Sequence, residues 1–233
     1  MDLSDFILER SIFQFRYSPS YLLWDSAGAL WHDAQIRWPK LKLKRGEPGV
    51  TAFTLDNKYD IAVSTESSSV VCHFPSSDLT DFMEKVAYFV DATSAHLKIQ
   101  EYLRVGLRLF YRRTYRDKES STIGVLETKL FSVPEGPHFG IKGSYSFPEF
   151  AIRWEGESLG VSFRLKAEGR KIDFDPPMDA PELQTIHEEK FGILCDVDYF
   201  TSGSLLVGQF RAHDWIKNGL HVIRRDSRGF LGG

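Results

Sequence analysis

Arg104-Val105-Gly106-Leu107-Arg108-Leu109-Phe110-Tyr111-Arg112 sits at the centre of a run, residues 101–115, whose alternation decides the fold. Successive side chains of a strand face opposite sides. Val105, Leu107, Leu109 and Tyr111 therefore make one apolar face. Arg104, Gly106, Arg108, Phe110 and Arg112 make a charged one. A strand that is apolar on one side and polar on the other belongs to an antiparallel sheet with a core on one face and solvent on the other.

Upstream, residues 77–97 carry the clearest helix. Ser76, Ser77 and Asp78 supply capping groups at its start. Leu79, Phe82, Met83, Val86, Phe89, Val90 and Leu97 recur at spacings of three and four, which makes one apolar stripe with Asp81, Glu84, Lys85 and Asp91 off it. Before that helix, strands are expected over 11–17, 50–56, 59–65 and 69–74, the middle two joined by a turn at Asp56-Asn57-Lys58. Residues 19–31 read as an aromatic-rich connection, and a short helix follows that ends at Pro39, trailed by Lys40, Lys42, Lys44 and Arg45. Downstream, residues 116–124 read as a polar loop. Strands are expected over 138–146, 149–155, 159–168, 170–175 and 191–200, and a terminal helix over 205–226 with a stripe of Ala212, Trp215, Ile216, Gly219, Leu220 and Ile223. The expected fold is α+β, with antiparallel sheets in two similar strand–helix halves, about 1–116 and 125–233, and long helices packed on one face. Nothing in the composition marks a flexible linker, so 1–233 is expected to be a single globular unit.

Composition agrees with a packed domain. Hydrophobic residues make up 42% of the 233 positions and aromatics 14%, with 18 phenylalanines. The net charge of −3 and a pI near 6.2 argue against a dedicated nucleic-acid binder, although they leave room for a local basic face. Cys72 and Cys195 are too few for a disulfide framework or a thiolate zinc site and are expected to be buried free thiols. The acidic start, Met1 to Asp5, lacks the basic and apolar regions of a signal peptide, and no apolar run reaches a membrane span, so a cytoplasmic protein without membrane contact is expected.

Three constellations carry possible chemistry. Asp173 and Asp175 share a strand face, as do Asp196 and Asp198; brought into register, the four carboxylates would converge on a hard cation, as in a metal-dependent hydrolase or nuclease. Arg104, Arg108 and Arg112, with Phe110 among them, could follow a phosphate backbone; the competing reading sets them beside the Asp strands as cross-strand ion pairs. Trp24, Trp31 and Trp38 could form a partner contact, since tryptophan dominates interface hot spots, or could simply pack in the core. The seven histidines are scattered, and no zinc-protease, nucleophile-elbow or phosphate-loop motif occurs, so no catalytic residue and no cofactor is expected.

Arg104-Val105-Gly106-Leu107-Arg108 and the Cys195-Asp196-Val197-Asp198 strand before the last helix resemble an uncharacterised family found sporadically across bacteria and archaea. Its members carry an R-x-G-L-R-Y-x-N-R strand midway and an apolar D-x-D strand near the end. This chain departs from that pattern at Leu109 and Tyr111, where the family has Tyr and Asn, while Arg112 matches. The patchy distribution resembles that of defence and toxin–antitoxin genes. The resemblance, with the lack of a catalytic constellation, implies a non-enzymatic accessory subunit that binds another protein. A nucleic-acid-binding component using the Arg face is the alternative, and the oligomeric state stays open.

Overall fold

The computed structural model describes residues 1–44, 49–132, 145–174 and 186–232, with the backbone alone at 172–174 and 186–187. The elements run β1 (Ile7–Tyr17), α1 (Leu23–Arg37), β2 (Lys42–Leu43), β3 (Val50–Leu55), β4 (Tyr59–Ser64), β5 (Ser67–His73) and α2 (Thr80–Leu97). There follow β6 (Glu101–Tyr115), α3 (Lys118–Leu126), β7 (Glu149–Glu155), β8 (Leu159–Phe174), β9 (Ile186–Thr201), β10 (Leu205–Leu206) and α4 (Ala212–Leu231). The fold is α+β, built on one ten-stranded antiparallel sheet ordered β2-β3-β4-β5-β1-β6-β9-β8-β7, with β10 paired to the start of β6.

The order holds a repeat. Leaving aside the two-residue strands β2 and β10, the chain runs strand, helix, three strands, helix from β1 to α2, and does so again from β6 to α4. Read outward from the centre, the first half is β1-β5-β4-β3 and the second is β6-β9-β8-β7. The halves join through the antiparallel β1–β6 ladder, in which Phe13 faces Leu107 and Ile12 faces Arg108. The repeat breaks at residues 98–100, not between 116 and 125 as the sequence suggests, because the long strand β6 opens the second unit instead of closing the first.

One face of the sheet carries the core. Phe13, Phe15 and Tyr17 of β1, Val105, Leu107 and Leu109 of β6, and Ile193, Cys195 and Val197 of β9 are buried there, against the stripes of α2 and α4. The α4 stripe keeps Ala212, Ile216, Gly219, Leu220 and Ile223 from the sequence reading, has Trp215 only partly buried, and continues through Ser227 and Leu231. Gly219 is needed in it, because a Cβ there would stand 2.9 Å from the Tyr199 ring that passes beneath. No helix among the described residues is long and apolar enough to cross a membrane.

Several local expectations change. α1 is one continuous helix whose seam is Leu23, Leu30 and Ala34; its apolar positions are too sparse to give a helical period. Residues 118–126 form α3 instead of a loop, begun by Asp117, whose carboxylate accepts from the Ser120 amide at 2.7 Å. The two strands expected over 159–175 are one, β8, since Gly169 continues the ladder opposite Phe191. Residues 205–209 form a short strand and a 3-10 turn, so α4 starts only at Ala212. Most of the strand expected over 138–146 lies outside the described residues. Lys85, placed off the α2 stripe by its charge, is buried; its ammonium pairs with Asp81 and lies over the rings of Tyr59 and Trp38, at 5.0 and 5.7 Å.

Candidate functional site

Among the described residues no helix covers the other face of the sheet. The central strands β1, β6, β9 and β8 present a layer of charge there, and pairing runs across the strands. Arg104 donates to Asp198 at 2.9 Å. Arg108 grips Asp196 through Nε to Oδ1 at 2.8 Å and Nη2 to Oδ2 at 2.6 Å. Asp196 is buried, and this hydrogen-bonded pairing holds the Arg108 guanidinium above its usual range. Arg112, nearly buried, lies between Glu9 and Glu168. Burial alone would raise the Glu168 carboxyl, but hydrogen bonds from Lys166 and Arg112 hold it down at about 2.

Phenylalanines fill the gaps between these pairs. The Phe110 ring lies under two guanidinium groups, Arg10 at 4.1 Å and Arg108 at 4.9 Å. Phe200 lies under Arg104 at 4.6 Å and Arg153 at 4.7 Å. Phe200 stays flat because its strand neighbour is Gly160, where a Cβ would fall 2.4 Å from the ring. Each ring is capped by cations, so neither offers a free face for a base to stack on. Arg104, Arg108 and Arg112 thus stand together with Phe110, as the sequence predicts, but each guanidinium already holds a carboxylate.

The four aspartates do not come together in this way. Asp196 and Asp198 belong to the Arg layer. Asp173 pairs in register with His187, nine residues before Asp196 along β9, which at about 3.3 Å per residue is roughly 30 Å away. Asp175 lies outside the described residues. Among the described residues no group of three or more His, Cys, Asp or Glu side chains could hold a metal ion. Cys72 and Cys195 are buried and free, and burial pushes both thiols up.

The tryptophans divide. Trp31 stacks on Phe53 at 5.5 Å, and Trp38 stacks on Phe89 at 5.5 Å with its edge toward Tyr88, so both belong to the helix–sheet packing. Trp24 is 69% exposed, and Tyr21, one turn earlier, is 76% exposed. At the other end of α1, Ile36 is also 69% exposed and forms part of the wall of a groove of about 1010 Å³ between α1, α2 and the start of α4. Ala87, Ala92 and Ala95 of α2 line this groove, together with Asp33, Glu84 and Asp91. Asp33 bonds His96 at 2.9 Å, and Glu84 accepts from Arg37 at 3.0 Å.

Sequence reasoning misses this groove, because it reads only the end of α1 as helical and gives the acids of α2 no visible neighbour. It also missed Glu9 and Arg10, which precede the strand start assigned at Ser11. No known protein-family model and no curated protein matches the chain.

Proposed function

We propose that the protein is a non-enzymatic binding subunit that docks a partner protein on its helix layer. The observation that carries this reading is the exposure of Trp24 and Ile36 on α1 and of Tyr21 in the turn before it, Ile36 beside a groove lined by alanines. Large apolar side chains left in water beside a concave surface favour an apolar counterpart. The alanines allow close approach of a backbone, and Asp33, Glu84 and Asp91 outnumber Arg37 along the walls. The fitting partner is an amphipathic helix with bulky apolar residues on one face and lysine or arginine on its flanks. The likeness of the central Arg strand and the D-x-D strand to a sporadic prokaryotic family supports an accessory role in a defence or toxin–antitoxin system, by analogy alone.

Capture of proteins from a prokaryotic host by the tagged chain tests this. A stoichiometric partner retained by the native chain and lost on Ile36→Asp or Trp24→Ala, with unchanged melting temperatures, supports the reading. A partner retained by both variants, or none at all, sinks it.

Nucleic acid bound on the sheet face is the second reading, favoured by Arg16, exposed on β1 with no carboxylate partner among the described residues. It requires affinity that falls steeply with salt and weakens on Arg16→Ala.

A further inference from the structure

The open sheet face holds a place where positive charge exceeds negative. Elsewhere on it most cations hold a carboxylate, Arg104 with Asp198, Arg108 with Asp196 and Arg164 with Glu149, while Arg16 has none among the described residues. Around Arg112 the balance differs. Glu9 and Glu168 are shared by Arg112, Lys166 and Arg170. Arg10, beside them, has no carboxylate partner among the described residues and only rests on the Phe110 ring. Four cations thus meet two carboxylates. Arg112, Glu9, Glu168 and Lys166 are mostly out of solvent, while Arg170 is half exposed.

This surplus borders a cavity of about 250 Å³ whose lining includes Glu9, Arg10, Arg170, His73, Phe74 and Phe110. The backbone is shaped around it. The β1–β6 register slips between Leu8 and Arg10, a bulge that brings consecutive residues Glu9 and Arg10 to the same charged region. The Glu9 carbonyl accepts from the Phe74 amide at 2.7 Å, and Phe74 holds the left-handed conformation at φ 49°. A bulky residue there is strained. The Phe74 side chain is 68% exposed and stands as a free apolar wall.

We propose that this cavity binds a phosphate monoester carried by a small molecule with a flat ring, the phosphate between Arg10 and Arg170 and the ring against Phe74. A phosphate monoester carries close to two negative charges at neutral pH, which matches the surplus. Guanidinium groups bind phosphate oxygens through paired N–H donors, and those of Arg10 are uncommitted. The site lies across the sheet from the helix-layer groove and does not depend on it.

The test is calorimetric titration of the full chain with adenosine 5′-monophosphate, inorganic phosphate, adenosine and a phosphoserine peptide. Adenosine monophosphate is expected to bind best, inorganic phosphate more weakly, and adenosine not at all. Arg10→Gln and Arg170→Gln should each weaken both phosphate-bearing ligands by about tenfold or more, the loss of one charge-assisted contact. Phe74→Ala should weaken the nucleotide severalfold and leave inorganic phosphate unchanged. Circular dichroism identifies any variant that fails to fold; if one arginine variant does, the other decides. No binding of either phosphate ligand at millimolar concentration overturns the proposal, as does binding indifferent to a folded arginine variant. Tighter binding of the phosphopeptide overturns the assignment to a small molecule.

Discussion

Arg108 and Asp196 form a two-point ion pair although they are not register partners: Arg108 stands opposite Asp198, and its guanidinium reaches diagonally to Asp196, leaving Asp198 to Arg104. The carboxylate is only 7% exposed and the arginine 47%, so the acid depends on the base more than the reverse.

Arg108→Ala should therefore destabilise the fold by about 2–3 kcal/mol, since it leaves a buried carboxylate without its counter-charge. The double variant with Asp196→Asn should recover part of that loss. Urea unfolding of the three variants checks both, and equal stabilities for the single and double variants would refute the coupling.

Glu168 predicts a pH dependence. Its carboxyl falls from the ordinary 4.5 to about 2 in the fold, so its contribution to stability is present above pH 4.5. That contribution fades as pH falls from 4.5 toward 2, where the folded form also takes up the proton. Glu168→Gln should be less stable than the native chain at pH 7, and the gap should narrow over that window. Thermal melts at pH 7, 4 and 3 measure it.

Trp31 and Trp24 should behave oppositely. Trp31→Ala removes a ring stacked on Phe53 and should lower stability by about 2–3 kcal/mol, somewhat below the full cost of a buried aromatic because Trp31 is only partly enclosed. Trp24→Ala removes an exposed ring and should change stability by less than about 0.5 kcal/mol. Denaturant titration of both variants separates them.

Gly160→Ala puts a methyl group into the Phe200 ring. Phe200 must then tilt away from Arg104 and Arg153, at an expected loss of about 1–3 kcal/mol. A variant as stable as the native chain would mean that the ring does not lie flat on Gly160.

The helix over 80–97 and the two-faced strand over 101–115 are legible because their periodicity is local: each residue's burial follows from the element's own geometry. Lys85 is the exception within α2, and its burial depends on Asp81 and on the aromatic rings of Tyr59 and Trp38. Most of α1 escapes such a reading because its seam of Leu23, Leu30 and Ala34 is thin, and Trp31 and the following Trp38 find their partners only on β3 and α2.

Alternation along any strand is enough to put Arg104, Arg108 and Arg112 on one face with Phe110, and Asp196 and Asp198 on one face of another strand. That these two faces are one follows from strand pairing, which no local pattern reveals. The β6–β9 ladder joins residues about ninety positions apart, and its register follows from the packing of both strands beneath α4, not from either strand alone. The same long-range register set Asp173 far from Asp196. The slip at Glu9, which brings Arg10 beside a cluster already rich in positive charge, arises from the pairing of β1 with β6 and leaves no trace in the local pattern.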